Sequence, residues 1–99
     1  FRAGRHQAAA ARFRQVLAGA PDHARARNDL ACALWELGER TAALAELERA
    51  RAAAPDDRDV VWNLGQFLGA LGREDEAQRL YAAFLARHPE ATESLASRT

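Results

Sequence analysis

The 99-residue chain contains no lysine, no methionine and no isoleucine, and only three valines. Against 25 alanines and 12 leucines, that shortage of β-branched residues removes the usual material of a sheet and favours helix. A single cysteine, Cys32, excludes an intrachain disulfide and a cysteine zinc cluster. No apolar run approaches the ~18–20 residues of a membrane span. All 14 basic residues are arginines, matched by 14 acids to a net charge of zero. The all-arginine usage reads as coding bias of a high-GC bacterial genome. The neutral balance argues against nucleic acid, which asks for a basic excess. There is no Gly-rich phosphate loop, no G-x-S-x-G and no H-E-x-x-H. His6, His23 and His88 have no partner at i, i+4, so neither a metal site nor a cofactor is expected. The start, Phe1 to Arg5, has no signal-peptide layout and no initiator Met. The chain therefore reads as a piece of a longer polypeptide, with the cytoplasm as its default location.

What is present is a period. Pro21, Pro55 and Pro89 are 34 residues apart, and Gly4, Gly38 and Gly72 keep the same step. Within the gapless segments from glycine to proline, Ala9, Ala43 and Ala77 coincide. So do Phe13, Leu47 and Tyr81, and Val16, Ala50 and Phe84. The intervening stretches 24–38 and 58–72 align as well, pairing Leu30 with Leu64, Ala31 with Gly65, Leu34 with Leu68 and Leu37 with Leu71. Apolar spacing of three and four is helical. A fixed period of this length marks stacked supersecondary units, each unable to bury its apolar face alone.

The punctuation predicts the elements. Proline is poorly tolerated inside a helix but fits its first turn, so each proline is expected to end one helix and open the next. Pro21-Asp22, Pro55-Asp56-Asp57 and Pro89-Glu90 place carboxylates where free N–H groups and the positive dipole end gather. Each glycine is expected past the last apolar residue, in a left-handed C-cap, with Thr41 and Asp75 as the following N-caps. Helices are predicted at about 6–19, 23–37, 41–54, 57–71, 75–87 and 90–97, within the usual ~2–4 residues.

A 34-residue helix–turn–helix unit resembles the tetratricopeptide repeat, whose pattern is W-x2-L-G-x2-Y, then A-x3-F, then P. In 24–57 the slots hold Arg27, Leu30, Ala31, Leu34, Ala43, Leu47 and Pro55; in 58–91 they hold Val61, Leu64, Gly65, Leu68, Ala77, Tyr81 and Pro89. Residues 1–23 supply only Ala9, Phe13 and Pro21, the second half of a truncated repeat, and 92–99 would start a further or capping helix. Arg27 and Val61 depart from the tryptophan slot, and Leu34 and Leu68 from the tyrosine slot. The resemblance implies an all-α fold: a right-handed α–α superhelix, or solenoid, of helix–turn–helix repeats. The first helix, without its partner, is expected to leave an apolar strip around Ala8, Ala11 and Val16 exposed.

In tetratricopeptide proteins the first helices of successive repeats line a concave groove that holds peptides. The resemblance thus nominates Arg25, Asn28, Cys32 and Trp35 on one wall, and Asp59, Trp62, Gln66 and Gly69 on the next. Steps of three and four place each set on one face of its helix. A partly exposed tryptophan is a natural binding anchor, offering apolar area and one N–H donor; for Trp35 and Trp62, sealing of the repeat interface is the alternative. Arg25 and Asn28 suit a carboxylate or an extended peptide backbone; a solvated Arg25, or one paired with Asp29 one turn on, is the favoured alternative. Cys32, among alanines, reads as a small apolar residue rather than a nucleophile. The acids Asp56, Asp57 and Asp59 are accounted for by capping. The clamp that grips chaperone C-termini needs basic residues on two repeats, and Asp59, Trp62 and Gln66 do not supply it.

The expected function is a non-catalytic scaffold that binds a protein or peptide partner, with no nucleic acid and no membrane involved. The alternative is an accessory or oligomerisation arm of a larger bacterial enzyme, such as a glycosyltransferase, a methyltransferase or a signalling protein. A homodimer through the exposed first helix is a further expectation.

Overall fold

A computed structural model of the chain describes residues 2–91. Five helices follow one another: α1 (Arg2–Gly19), α2 (Ala24–Glu36), α3 (Arg40–Ala53), α4 (Arg58–Ala70) and α5 (Glu74–Arg87). A single 3-10 turn, Pro89–Ala91, closes the described chain. No strand occurs among the described residues. The fold is an all-α, right-handed solenoid of helix–turn–helix units. Sequence neighbours pack on each other, α1 on α2, α2 on α3, α3 on α4 and α4 on α5, as one-dimensional stacking requires. The helix expected at 90–97 gives way to the 3-10 turn at Pro89–Ala91, and its remainder lies outside the described residues.

Two kinds of corner alternate. At Gly38 (φ 84°) and Gly72 (φ 80°) the backbone enters the left-handed region that favours glycine. Glu39 N–H donates to the Leu34 carbonyl at 2.9 Å and Gly38 N–H to that of Trp35 at 3.0 Å; Arg73 and Gly72 repeat the pattern onto Leu68 and Gly69. These are paired Schellman closures. Gly4 is a correction: it lies inside α1, where the flanking arginine, glutamine and alanines outweigh the roughly 1 kcal/mol cost of a helical glycine.

At the other corner each proline occupies the second position of a turn; Pro21 and Pro55 precede the next α-helix rather than opening it, whereas Pro89 opens the 3-10 turn. His23, Asp57 and Ala91 donate their N–H groups to the carbonyls of Ala20, Ala54 and His88 at 3.0, 3.1 and 2.9 Å. Fixed φ suits that position of a type I turn. The helix after Pro21 is capped by His23, whose Nδ1 accepts from Ala26 N–H at 3.1 Å, and not by Asp22. After Pro55 the expected carboxylate cap is present: Asp57 accepts from Asp59 and Val60 N–H at 2.9 and 3.2 Å. Thr41 and Asp75 are not N-caps. The Schellman closure delivers the chain one residue sooner, so α3 and α5 start at Arg40 and Glu74, with Glu39 and Arg73 as half-in residues. Asp75 instead joins Glu74 and Glu76 at the positive dipole end of α5.

The core is thin and alanine-rich. Ala31, Ala43, Leu47 and Ala50 are wholly buried, beside Leu30, Leu34, Val60, Val61, Leu64, Ala77, Leu80 and Phe84. Val61, in the tryptophan slot, is 1% exposed, so the smaller side chain still seals its layer. The other departure, Arg27, is solved by charge. Its Nη1 donates to Glu46 Oε1 at 2.6 Å, and its Nη2 to the Pro21 carbonyl at 2.7 Å. This ties the corner before α2 to α3. On α1, Ala8, Ala11 and Val16 are exposed as expected, whereas the periodic equivalents of Val16, Ala50 and Phe84, are buried.

Candidate peptide-binding face

The side of α2 carrying Arg25, Asn28, Cys32 and Trp35 meets α4. Its contacts descend the helix pair in order. Arg25 Nη1 lies 3.4 Å from Asp59 Oδ2, and Arg25 Nε lies 3.8 Å from Asp29 Oδ1. Both pairs are at the rim, where ion pairs contribute little but set charge and register. One turn on, Asn63 Nδ2 donates to Asn28 Oδ1 at 3.0 Å and approaches Cys32 Sγ at 3.8 Å. Asn28 is only 5% exposed, the one buried polar residue of the described chain. Leaving a buried amide unpaired is costly, and Asn63 removes that cost. At the far end Trp35 stacks on Phe67 with ring centres 4.1 Å apart and planes 15° off parallel, and the Arg40 guanidinium lies 4.6 Å over the same indole.

Arg25, Asn28, Cys32, Trp35 and Asp59 are therefore brought together. Trp62 and Gln66 turn toward α5. Trp62 packs against Tyr81 with ring centres 6.1 Å apart, Tyr81 Oη donates to the Trp62 carbonyl at 3.3 Å, and Gln66 Nε2 donates to Tyr81 Oη at 3.1 Å. The reason is periodic. Residues 59, 62, 66 and 69 repeat 25, 28, 32 and 35 one unit later, so on α4 residues 62, 66 and 69 face onward, while Asp59 at the helix start reaches back to Arg25. The residues that look back at α2 are Asp59, Asn63 and Phe67, themselves spaced by one helical turn. A cavity of about 340 Å³ opens beside Gln66, Gly69, Glu74 and Tyr81 at that onward face.

Asn63, Phe67, Tyr81 and Arg40 are contributors that the sequence reading missed. Asn63 was findable, standing four residues after Asp59 and three before Gln66. Arg40 had no local signal, because it reaches Trp35 only across the left-handed corner at Gly38.

Burial, and then the nearby Asp29 and Glu36, push the Cys32 thiol above its ordinary range, so it is a poor nucleophile. Burial likewise raises the Tyr81 phenol, with the Gln66 hydrogen bond acting the other way. Among the described residues no group of three or more His, Cys, Asp or Glu is placed to hold a metal ion. None of the described helices is long and apolar enough to cross a membrane.

A family model described as tetratricopeptide repeat matches the chain twice, over residues 1–64 and 34–97. No curated protein matches it significantly.

Proposed function

Because the chain belongs to the tetratricopeptide repeat family, we propose that it is a non-catalytic interaction module that receives a peptide or helix of a partner protein in the hollow lined by α2 and α4. On this reading 24–57 and 58–91 are its two repeats, and 1–23 supplies the second helix of another. One observation carries the reading. Where α2 and α4 meet, the contacts are not leucines but a polar and aromatic ladder: Arg25 with Asp59, Asn28 with Asn63, and Trp35 with Phe67. Rim charges steer and orient a partner, the Asn28–Asn63 pair fixes the spacing of the two helices, and half-buried aromatics supply the apolar area that dominates binding. Trp62 and Gln66 add the adjoining side of α4, the side turned toward α5.

The test is a synthetic peptide array followed by titration of tryptophan fluorescence with each retained peptide. The expected result is saturable binding that weakens about tenfold or more in Trp62→Ala and in Gln66→Ala, with the helical circular dichroism unchanged. Binding untouched by either variant overturns the assignment of the groove.

Val16, 40% exposed, with Ala8 and Ala11 also exposed on α1, favours a second role: association of two copies through α1, as in an oligomerisation arm. Light scattering at high concentration decides it, and a strict monomer removes it.

A further inference from the structure

The turn after α5 holds a cluster that the repeat itself does not need. His88 stands where the two earlier turns carry Ala20 and Ala54, so the stacked backbone is built without an imidazole there. Its Nε2 lies 2.8 Å from Asp56 Oδ1 and its Nδ1 lies 3.3 Å from Glu90 Oε1. Asp56 and Glu90 are themselves equivalent residues, each directly after the proline of its turn and 34 apart. One side chain thus links the corresponding corners of two successive units. Its ring rests on Phe84, with centres 4.8 Å apart, and is only partly open to solvent.

The stereochemistry dictates the protonation state. A neutral imidazole has one N–H and one lone pair. With a carboxylate oxygen at each nitrogen, it would turn that lone pair onto an anion. Only the doubly protonated ring donates to both. The other charges around it are Arg87, whose Nη2 lies 2.7 Å from Asp56 Oδ1, and Arg58 at the start of α4, which acts on Glu90. Neither guanidinium replaces the imidazolium, because neither spans the two carboxylates among the described contacts.

We propose that His88 is a proton-operated clasp: doubly protonated, its ring bridges Asp56 and Glu90, and when the ring loses its second proton the bridge falls to a single hydrogen bond and loosens. The hydrogen bond to Asp56, with a second to Glu90, raises the His88 pKa above its ordinary value. The clasp is therefore closed below the ordinary histidine range and opens as pH rises through the elevated value. The partner carboxylates are lowered: Asp56 chiefly by the His88 hydrogen bond, and Glu90 by a backbone hydrogen bond and then by His88. On the acid side the clasp consequently persists until these protonate. Opening leaves the backbone bond from Ala91 N–H to the His88 carbonyl, 2.9 Å, to hold the turn without the side-chain bridge to the Asp56 corner.

The test is an NMR titration of the whole chain, following the His88 ring and the amides of residues 88–91. The His88 midpoint is expected to fall by about half a pH unit in Asp56→Asn, and by less in Glu90→Gln, as loss of a partner charge requires. The amides should move with the same midpoint as the ring in the wild type and lose that step in His88→Ala, which restores the residue of the two earlier turns. An unchanged His88 midpoint in both carboxylate variants overturns the clasp. Amides that ignore the ring titration overturn it equally, and remain readable even if one variant is poorly folded.

Discussion

Gly65 lies directly under the phenol ring of Tyr81, so that a Cβ at Gly65 would collide with the ring carbons and the hydroxyl oxygen. In most helices a glycine replaced by alanine gains about 1 kcal/mol of propensity. Here the sign reverses. Gly65→Ala is expected to destabilise by about 1–3 kcal/mol, the usual cost of overpacking, seen as a lower midpoint of thermal or urea unfolding. In a Tyr81→Leu background the collision is gone, and the same substitution should become neutral or favourable. A double-mutant cycle measures the difference; additivity of the two changes would contradict the packing.

Arg27 and Glu46 form the least exposed ion pair of the described chain, with each side chain 15% exposed at a separation of 2.6 Å. Removing one partner of such a pair leaves a half-buried charge behind. Glu46→Ala is expected to cost about 1–3 kcal/mol, below the fully buried range because some solvent reaches the pair. Replacing both by leucine should recover most of that loss. By contrast Arg73→Ala, at the exposed Arg73–Glu76 pair, should leave the unfolding midpoint unmoved. Equal effects at the two pairs would show that burial does not rank them.

The helix corners separate what the chain makes legible from what it does not. Gly38, Gly72 and the three prolines impose local backbone geometry, so their 34-residue period translates directly into the five helices and two kinds of turn of the described residues. Caps depend on where a turn delivers the next residue, and there local preference misleads: Asp22 is bypassed for His23, while Asp57 caps α4 as its position suggests. The face of α2 was readable from Arg25, Asn28, Cys32 and Trp35 at steps of three and four. Its partner Phe67 was not, and Asn63 could be reached only through its spacing to Asp59, because the crossing of α2 and α4, and not the period, decides which side of α4 looks back. His88 escaped for the same reason, since Asp56 is distant in sequence.

The caps carry their own prediction. Asp57→Ala removes two accepted N–H bonds at the start of α4 and is expected to cost about 1 kcal/mol, a fall in melting temperature of roughly 4–8 °C for a domain of this size. Asp22→Ala removes no cap and should change melting little. A comparable loss at Asp22 would reverse the assignment.

Cys32 offers a direct chemical reading of the α2–α4 contact. Burial is the main influence raising its pKa, reinforced by Asp29 and Glu36 and opposed by Arg25. A raised thiol pKa means less thiolate at neutral pH, and the thiolate is the reacting species. Alkylation by iodoacetamide at pH 7 is therefore expected to be about tenfold or more slower in the folded chain than in urea. Asn63→Ala opens the side of the thiol that the amide covers at 3.8 Å and should bring the folded rate part of the way back. Asp29→Asn removes a raising charge and should do so without exposing the sulfur further, shifting the pH dependence of the rate downward. A folded rate equal to the unfolded one would mean that α4 does not cover Cys32, and the ladder between the two helices would then have to be redrawn from Asn28 onward.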